Sequence, residues 1–343
     1  MLTVGNNTDS DDIYSSYGIG LSLYDEMSNF VESDLIKSIL TLFLGTSMVF
    51  SLVGNMCTCA VIARDKTMRT PTNCYLLNLA ISDLMITVFV PIELYIIWVP
   101  DYYPLGEEGC RIHFLLWDLL SNCSVLTILA FTIERYLVIS KPFLRQRLLL
   151  TSRISKILTL TWVVSCIFSF PSVYSIYFIE RKQNVYCVFT VSERDKVFYI
   201  AIELLVFFFF PMTVIFVLFI MIVHKLKTTE PKSRANPAIS HHNRNKAVKM
   251  LAAVAASFFI CWSPYAVLRM MIVIPNLSYE EYNDLWRAFV YLSSINSYMS
   301  TAINPILYSL MSRKFRQAFK DLLKGRKVRR MTLTKNIQIH SNV

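Results

Sequence analysis

Long apolar runs, separated by short polar stretches, dominate the chain from residue 35 onwards. A bilayer core is about 30 Å thick, so a helix needs about 20 apolar residues to cross it. Seven runs meet this length, at 35–63, 72–99, 109–139, 154–177, 197–224, 247–274 and 285–311. A membrane β-barrel would show strands of about ten alternating residues, and the sequence has no such series. The pattern predicts an all-α membrane protein built as a seven-transmembrane helix bundle.

Composition and charge distribution agree with this prediction. Hydrophobic residues make up 54% of the chain and charged residues 17%, against about 25% charged residues in soluble domains. The net charge of +10 could suggest a nucleic-acid partner, but the basic residues gather after the first, third and fifth runs and in the tail. Acidic residues predominate on the opposite side. The positive-inside rule therefore predicts an extracellular N-terminus and a cytoplasmic tail, and it removes the argument for nucleic-acid binding.

Four parts follow along the chain. They are an extracellular N-terminal segment at 1–34, a seven-transmembrane domain at 35–311, an amphipathic membrane-surface helix at 312–323 and a cytoplasmic tail at 324–343. In the surface helix, Phe315 and Phe319 alternate with basic residues, which is typical of a helix that contacts anionic lipid. Glycosylation sequons begin at Asn6 and Asn276, both on the predicted outer side.

Two of the eight cysteines fall in predicted extracellular positions. Because the outer face is oxidising, Cys110 and Cys187 are expected to form a disulfide. The sequence shows no metal-ligand spacing. It also shows no internal repeat of the kind that transporters carry, which makes a transporter a remote alternative.

Short motifs follow one another in a fixed order along the seven runs. They are Gly54-Asn55, Leu79 to Asp83, Glu134-Arg135-Tyr136, Trp162, Pro211, Phe258 to Pro264 and Asn304-Pro305 to Tyr308. This set resembles the rhodopsin-like (class A) G-protein-coupled receptors over residues 35–323. The resemblance implies a plasma-membrane receptor that has no enzymatic activity and that activates a heterotrimeric G protein.

The resemblance assigns switch roles to residues in three helices. Pro264 and Pro305 each remove a backbone donor and loosen a helix. By resemblance, Phe258 and Trp262 are expected to repack when ligand binds above them. Residues at the cytoplasmic ends complete the expected switch, namely Glu134, Arg135, Tyr136, Asn304 and Tyr308.

Arg135 is expected to be held by Glu134 at rest and to meet the G protein when released. In the family, Tyr308 supports the active state together with a tyrosine in the fifth helix. This chain has Phe219 there, so the usual hydroxyl is missing.

Polar groups are expected to converge at the middle of the membrane. By resemblance, Asn55, Asp83, Ser124 and Asn304 form a sodium site in which Asp83 is the anionic ligand. Hard oxygen ligands suit a small hard cation. The alternative is a hydrated polar network without a specific ion, and Ser300 replaces an asparagine that is usual in the family.

Several ligand classes can be judged from single positions. The seventh run has no lysine for a retinal Schiff base, and Trp117 occupies the position where amine receptors place an aspartate. The residues at 91–98, Asp118 and Arg269 resemble the neuromedin U/pyrokinin, ghrelin, motilin and neurotensin receptor group. The spacing from Asp83 to Pro91 is one residue shorter than in that group.

Seven residues are candidates for ligand contact. Acids such as Glu93 and Asp118 can bind a guanidinium bidentately, while Arg269 can take an anionic or carbonyl group, or pair with Asp118 itself. The candidates are Glu93, Trp117, Asp118, Glu203, Tyr265, Arg269 and Tyr298.

The resulting hypothesis is a receptor for a short, amidated, Arg-containing neuropeptide, coupled to Gq by family analogy. A lipid or other non-peptide ligand is the alternative, and an intramembrane enzyme is remote. The short tail has few hydroxyl residues, so we expect weak arrestin recruitment.

Overall fold

The structure is a computed structural model that describes residues 33–65, 68–141, 151–181, 184–189, 193–228, 237–273, 283–311 and 313–324. The sequons at Asn6 and Asn276 and most of the N-terminal and C-terminal segments lie outside these residues. The helices are α1 Asp34–Arg64, α2 Pro71–Thr87, α3 Val90–Trp98, α4 Gly106–Ser140, α5 Thr151–Ser169, α6 Glu193–Leu204, α7 Phe210–Thr228, α8 Pro237–Val273, α9 Asn283–Met311 and α10 Arg313–Leu323. Two strands, β1 Ile176–Arg181 and β2 Asn184–Phe189, lie between α5 and α6.

The helices reproduce the seven predicted membrane segments. Helices α2 and α3 together form the second segment, and α6 and α7 form the fifth. Five helical stretches among the described residues are long and apolar enough to cross a membrane. The seventh segment, α9, is less apolar because its inner side carries Ser293, Ser297 and Thr301, all buried.

Polar residues lie inside the bundle and large apolar residues face outwards. In α1, Asn55 and Thr58 are fully buried, whereas the side chains of Leu42 and Phe50 are 66% and 59% exposed. A soluble bundle would show the reverse arrangement, because water solvates polar groups and excludes apolar ones. The distribution suits a helix bundle that is surrounded by lipid, so the predicted fold class is confirmed.

Local sequence signals explain where the first helices begin. Ser33 caps α1 by accepting a hydrogen bond from the backbone N–H of Ile36 at 3.4 Å. Thr70 caps α2 in the same way, and Pro71 occupies the first helical turn, where no intrahelical partner for its missing N–H is needed.

The second and fifth segments are interrupted close to prolines. The break between α2 and α3 falls at residues 88–89, two residues before Pro91, which cannot donate a helical hydrogen bond. In the fifth segment, one turn of π-helix over Leu205–Phe209 precedes Pro211. The second segment was predicted to be continuous, and the break at 88–89 corrects that prediction, whereas an interruption of the fifth segment at Pro211 was expected.

The fourth segment is shorter than predicted. Helix α5 ends at Ser169, and a 3₁₀ turn over Phe170–Ser175, which contains Pro171, leads into strand β1. Strands β1 and β2 pair as an antiparallel hairpin with Phe178 opposite Cys187. The hairpin was not predicted, because its six-residue strands fall below the length of a membrane segment.

Helix α10 packs against the bundle through its aromatic residues. Phe315 is buried and lies edge-on to Tyr308, with 6.2 Å between the ring centroids. Phe319 packs against the same core cluster. Phe315 and Phe319 were predicted to anchor the helix in lipid, but Phe315 lies inside the protein.

Candidate functional site

The first polar cluster of the outer pocket surrounds Glu93. The hydroxyl of Tyr298 in α9 donates to Glu93 Oε1 at 3.1 Å. His113 of α4 places its Nε2 3.6 Å from the same oxygen. The Glu93 side chain is 29% exposed and the His113 side chain 5%, so the carboxylate is partly accessible while the imidazole is buried.

An outer loop residue completes this cluster. The hydroxyl of Tyr103, between α3 and α4, lies 2.9 Å from His113 Nδ1. Burial, and secondarily the negative charge of Glu93, raise the pKa of the Tyr103 hydroxyl above its ordinary value, so the hydroxyl keeps its proton. The Tyr103 backbone N–H also donates to the carbonyl of Val185 in β2 at 2.8 Å.

The second polar cluster centres on Arg269 of α8. Its guanidinium lies 3.4 Å from Glu203 Oε2, and its Nε donates to the Tyr265 hydroxyl at 2.8 Å. That hydroxyl donates in turn to Glu203 Oε1 at 3.3 Å. A buried arginine in a membrane helix is costly unless it is paired, and here the pairing spans the fifth and sixth segments.

Asp118 of α4 adds a second carboxylate to this cluster. Its Oδ1 accepts from Asn122 at 3.3 Å, and the carboxyl group also interacts with Glu203 and Arg269. The ion pair that the structure shows for the Arg269 guanidinium is the one with Glu203. Asp118 interacts electrostatically with the same guanidinium, so the pairing of Asp118 with Arg269 stays a prediction.

The two clusters lie at different depths. His113, which contacts Glu93, precedes Asp118 by five residues on α4, which corresponds to about 7.5 Å along the helix axis. Each acid has its own set of partners. The two acids therefore belong to separate clusters.

Aromatic rings form the floor beneath these clusters. The rings of Trp117 and Tyr265 have centroids 5.4 Å apart, and Trp262 lies 5.9 Å from Tyr265. Below them, Phe258 lies 5.8 Å from Trp262. Trp117, Tyr265, Trp262 and Phe258 therefore form one continuous row of contacting rings that leads into the core.

A cavity of about 20 Å³ lies below this floor, at the middle of the membrane. Its lining includes Asp83, Ser124, Asn304 and Ser300, and Asn304 Nδ2 donates to Asp83 Oδ2 at 2.9 Å. A carboxylate and hydroxyl oxygens around a space of this size fit a small hard cation with water. Ser257 was missed by the sequence analysis but also lines the cavity.

Asn55 takes a different position from the one expected. Its amide donates to Ser51 Oγ at 3.1 Å and to the carbonyl of Thr301 at 3.0 Å, and so connects α1 with α9. The contact supports helix packing.

The C-terminal end of α4 contains the expected arginine pair. Arg135 pairs with Glu134, and its guanidinium lies over the ring of Phe131. Tyr136, next in the chain, packs against the neighbouring hydrophobic cluster. The Tyr308 hydroxyl is buried and has no hydrogen-bond partner among the described residues.

The predicted disulfide is confirmed. Cys110, in the first turns of α4, is bonded to Cys187 of β2, with their Cα atoms 5.8 Å apart. It fixes the hairpin to the outer end of α4, three residues before His113.

Comparison with known proteins assigns the class of the molecule. The family described as "7 transmembrane receptor (rhodopsin family)" matches residues 54–308. The chain therefore belongs to the rhodopsin family of seven-transmembrane receptors, whose members are multi-pass membrane proteins and not enzymes.

Individual receptors show the same relationship. The chain is 30% identical to the pyrokinin-1 receptor of Drosophila melanogaster, over 86% of this chain and 82% of that receptor. It is 32% identical to the neuromedin-U receptor 2 of Mus musculus, over 80% of this chain and 72% of that receptor. The neurotensin receptor type 1 of Mus musculus is 29% identical, over 88% of this chain and 80% of that receptor.

Proposed function

We propose that this chain is a plasma-membrane receptor, with an extracellular N-terminus, for a short, C-terminally amidated, Arg-containing neuropeptide. The observation that carries the proposal is the Glu93 carboxylate, whose side chain is 29% exposed and lies 3.6 Å from the buried imidazole of His113. The names of the relatives, which are receptors for pyrokinin, neuromedin U and neurotensin, support a peptide ligand.

The ligand's guanidinium would bind Glu93. A carboxylate in a poorly solvated pocket binds a guanidinium through two parallel hydrogen bonds, which gives both affinity and orientation. Tyr298 already donates to Glu93 Oε1, so the second oxygen and the remaining lone pairs can face the ligand. Arg269, in the second cluster, would donate hydrogen bonds to the carbonyl oxygen of the ligand's terminal amide or to another carbonyl oxygen.

Signal transfer would follow this row of aromatic rings. A ligand that presses on Trp117 and Tyr265 changes the packing of Trp262, which lies two residues before Pro264 in α8. Proline loosens this helix, so its cytoplasmic half can move and expose Arg135 to a heterotrimeric G protein. Gq is the subtype that we propose.

The experiment compares Glu93→Gln with Glu107→Gln. Both variants remove one acid, but the Glu107 side chain is 53% exposed and pairs with Arg111 at the surface. Neuromedin U and a library of amidated Arg-containing peptides serve as probes, with intracellular calcium as the readout. Each active peptide is also tested with citrulline in place of arginine.

We expect Glu93→Gln to reduce potency by about 30-fold or more, because it leaves a desolvated guanidinium without its counter-ion. The citrulline peptide should be equally weak on wild type and on the variant, and Glu107→Gln should have little effect. Unchanged potency of the arginine peptide on Glu93→Gln would show that Glu93 does not bind the ligand.

We also propose three further partners. A sodium ion would be held at the mid-membrane cavity by Asp83 and Ser124, where it would supply a positive charge to a buried carboxylate. Basic residues of α10, including Lys320, would contact anionic lipid. Arrestin recruitment would be weak, because the tail offers few phosphorylation sites.

A further inference from the structure

The mid-membrane cavity has a residue of the sixth segment in its wall. Ser257 of α8 lines the cavity together with Asp83 of α2, Ser124 of α4 and Asn304 of α9. The sodium contacts proposed above come from α2 and α4, so they do not use the oxygen that α8 brings to the cavity. This oxygen is of interest because α8 contains Pro264 and is the helix that would move when ligand binds.

The hydroxyl protons of two serines in this wall are already used in hydrogen bonds to the backbone. Ser257 Oγ donates to the carbonyl of Val254 at 2.9 Å, and Ser300 Oγ donates to the carbonyl of Ser297 at 2.6 Å. A serine hydroxyl has one proton and two lone pairs. Both side chains can therefore offer the cavity only lone pairs.

Ser124 offers lone pairs to the cavity for a similar reason. Its hydroxyl oxygen lies 3.0 Å from that of Ser82, and Ser82 itself donates to the carbonyl of Leu79 at 3.0 Å. Ser124 is therefore the donor in the contact between the two serines. Together with the Asp83 carboxylate, the wall presents hydroxyl oxygens that accept and do not donate. A small hard cation satisfies such a set of oxygens, whereas an anion does not.

We propose that Ser257 is a ligand of the cation in this cavity, so that a bound sodium ion links α8 to α2 and α4. This inference rests on the sodium ion proposed above and adds a ligand from the helix that contains Pro264. Ser257 lies seven residues, or about two helical turns, before that proline. Movement of this half of α8 withdraws the oxygen from the ion. Sodium therefore favours the arrangement in which the three helices lie close together.

The experiment measures the melting temperature of the purified receptor as sodium chloride replaces choline chloride at constant ionic strength. It compares Ser257→Ala with Ser263→Ala. Ser263 lies on the same helix and makes the same kind of hydrogen bond, from its Oγ to the carbonyl of Phe259 at 2.6 Å, but it is not part of the cavity lining. Each variant is compared with itself in choline, so a general loss of stability cancels.

In wild type, sodium should raise the melting temperature, because an ion that binds only the folded receptor stabilises it. Ser257→Ala should increase the sodium concentration for the half-maximal rise by about tenfold, since the ion loses one of its oxygen ligands. Ser263→Ala should respond at the wild-type concentration, and Asp83→Asn should not respond.

Hydrogen exchange, followed by mass spectrometry in lipid nanodiscs, tests the link to α8 directly. At a sodium concentration that saturates both proteins, the ion should slow amide exchange around residue 257 in wild type but not in Ser257→Ala. Exchange around Asp83 in α2 should be slowed in both proteins. Equal protection of α8 in wild type and in Ser257→Ala would overturn the link.

Two outcomes of the melting experiment separate this inference from the proposals on which it rests. If Ser257→Ala responds at the wild-type concentration while Asp83→Asn does not respond, sodium occupies the cavity and Ser257 is not a ligand. If wild type melts at the same temperature in sodium and in choline, both the sodium ion and the role of Ser257 are refuted. The proposed peptide receptor stands apart from both outcomes, because its test uses Glu93→Gln.

Discussion

The contact between Gly54 of α1 and Pro305 of α9 gives the sharpest prediction for stability. A Cβ atom at position 54 would lie 2.5 Å from Pro305 Cγ and 2.8 Å from Pro305 Cβ. Ordinary contacts begin at 3.4 Å, so Gly54→Ala requires α9 to move away by about 1 Å. The proline ring is rigid and buried and cannot turn aside. The movement would also stretch the hydrogen bond from Asn55 to the Thr301 carbonyl, which is 3.0 Å long.

Overpacking of this kind costs about 1–3 kcal/mol. For a domain of this size, we expect the melting temperature of the purified receptor to fall by about 2–10 °C. Gly45→Ala is the matched control, because it lies on the same helix and an added Cβ meets no atom within 4 Å. Gly45→Ala should be neutral or slightly stabilising, since alanine favours helix more than glycine does. Equal melting temperatures for the two variants would refute the packing argument.

The remaining predictions concern the switch and the cavity. Phe219→Tyr should raise basal signalling or agonist efficacy, because it offers a hydroxyl to Tyr308, whose own hydroxyl is buried without a described partner; unchanged basal and agonist responses would count against this. Sodium chloride should raise the melting temperature of the wild-type receptor above that in choline chloride, because a bound ion stabilises only the folded state. Asp83→Asn should abolish that difference, and a difference that persists would exclude Asp83 as a sodium ligand.

The membrane helices could be predicted from the sequence because each one depends on the apolar residues of its own segment. A run of about 20 apolar residues has few alternatives in a bilayer, where every backbone group must be bonded within its own segment. The strands Ile176–Arg181 and Asn184–Phe189 lie beyond the end of α5, outside the membrane-spanning helices, where this constraint does not apply. Their position depends on the disulfide to Cys110 and on the backbone contact with Tyr103, both of which join distant parts of the chain.

The candidate site was predicted residue by residue but not pair by pair. Glu93 and Asp118 were visible as acids in apolar segments, yet their partners depend on how the helices are rotated. His113 is also ionisable and lies in an apolar stretch of α4, so the same rule could have identified it. Tyr103 carried no such signal, because a tyrosine in an outer loop is ordinary.

Helix α4 contributes residues to the two polar clusters, to the cavity and to the Glu134–Arg135 pair. Of its most apolar stretch, 61% is buried, against 22–33% for the other spans. His113 and Asp118 belong to the two polar clusters, Ser124 lines the cavity, and Arg135 pairs with Glu134 near the C-terminal end of the helix. Helix α4 also contains no proline between Gly106 and Ser140, whereas α8 and α9 contain Pro264 and Pro305. A buried, uninterrupted helix resists bending, so a rearrangement that couples these sites requires α8 and α9 to move against a stationary α4.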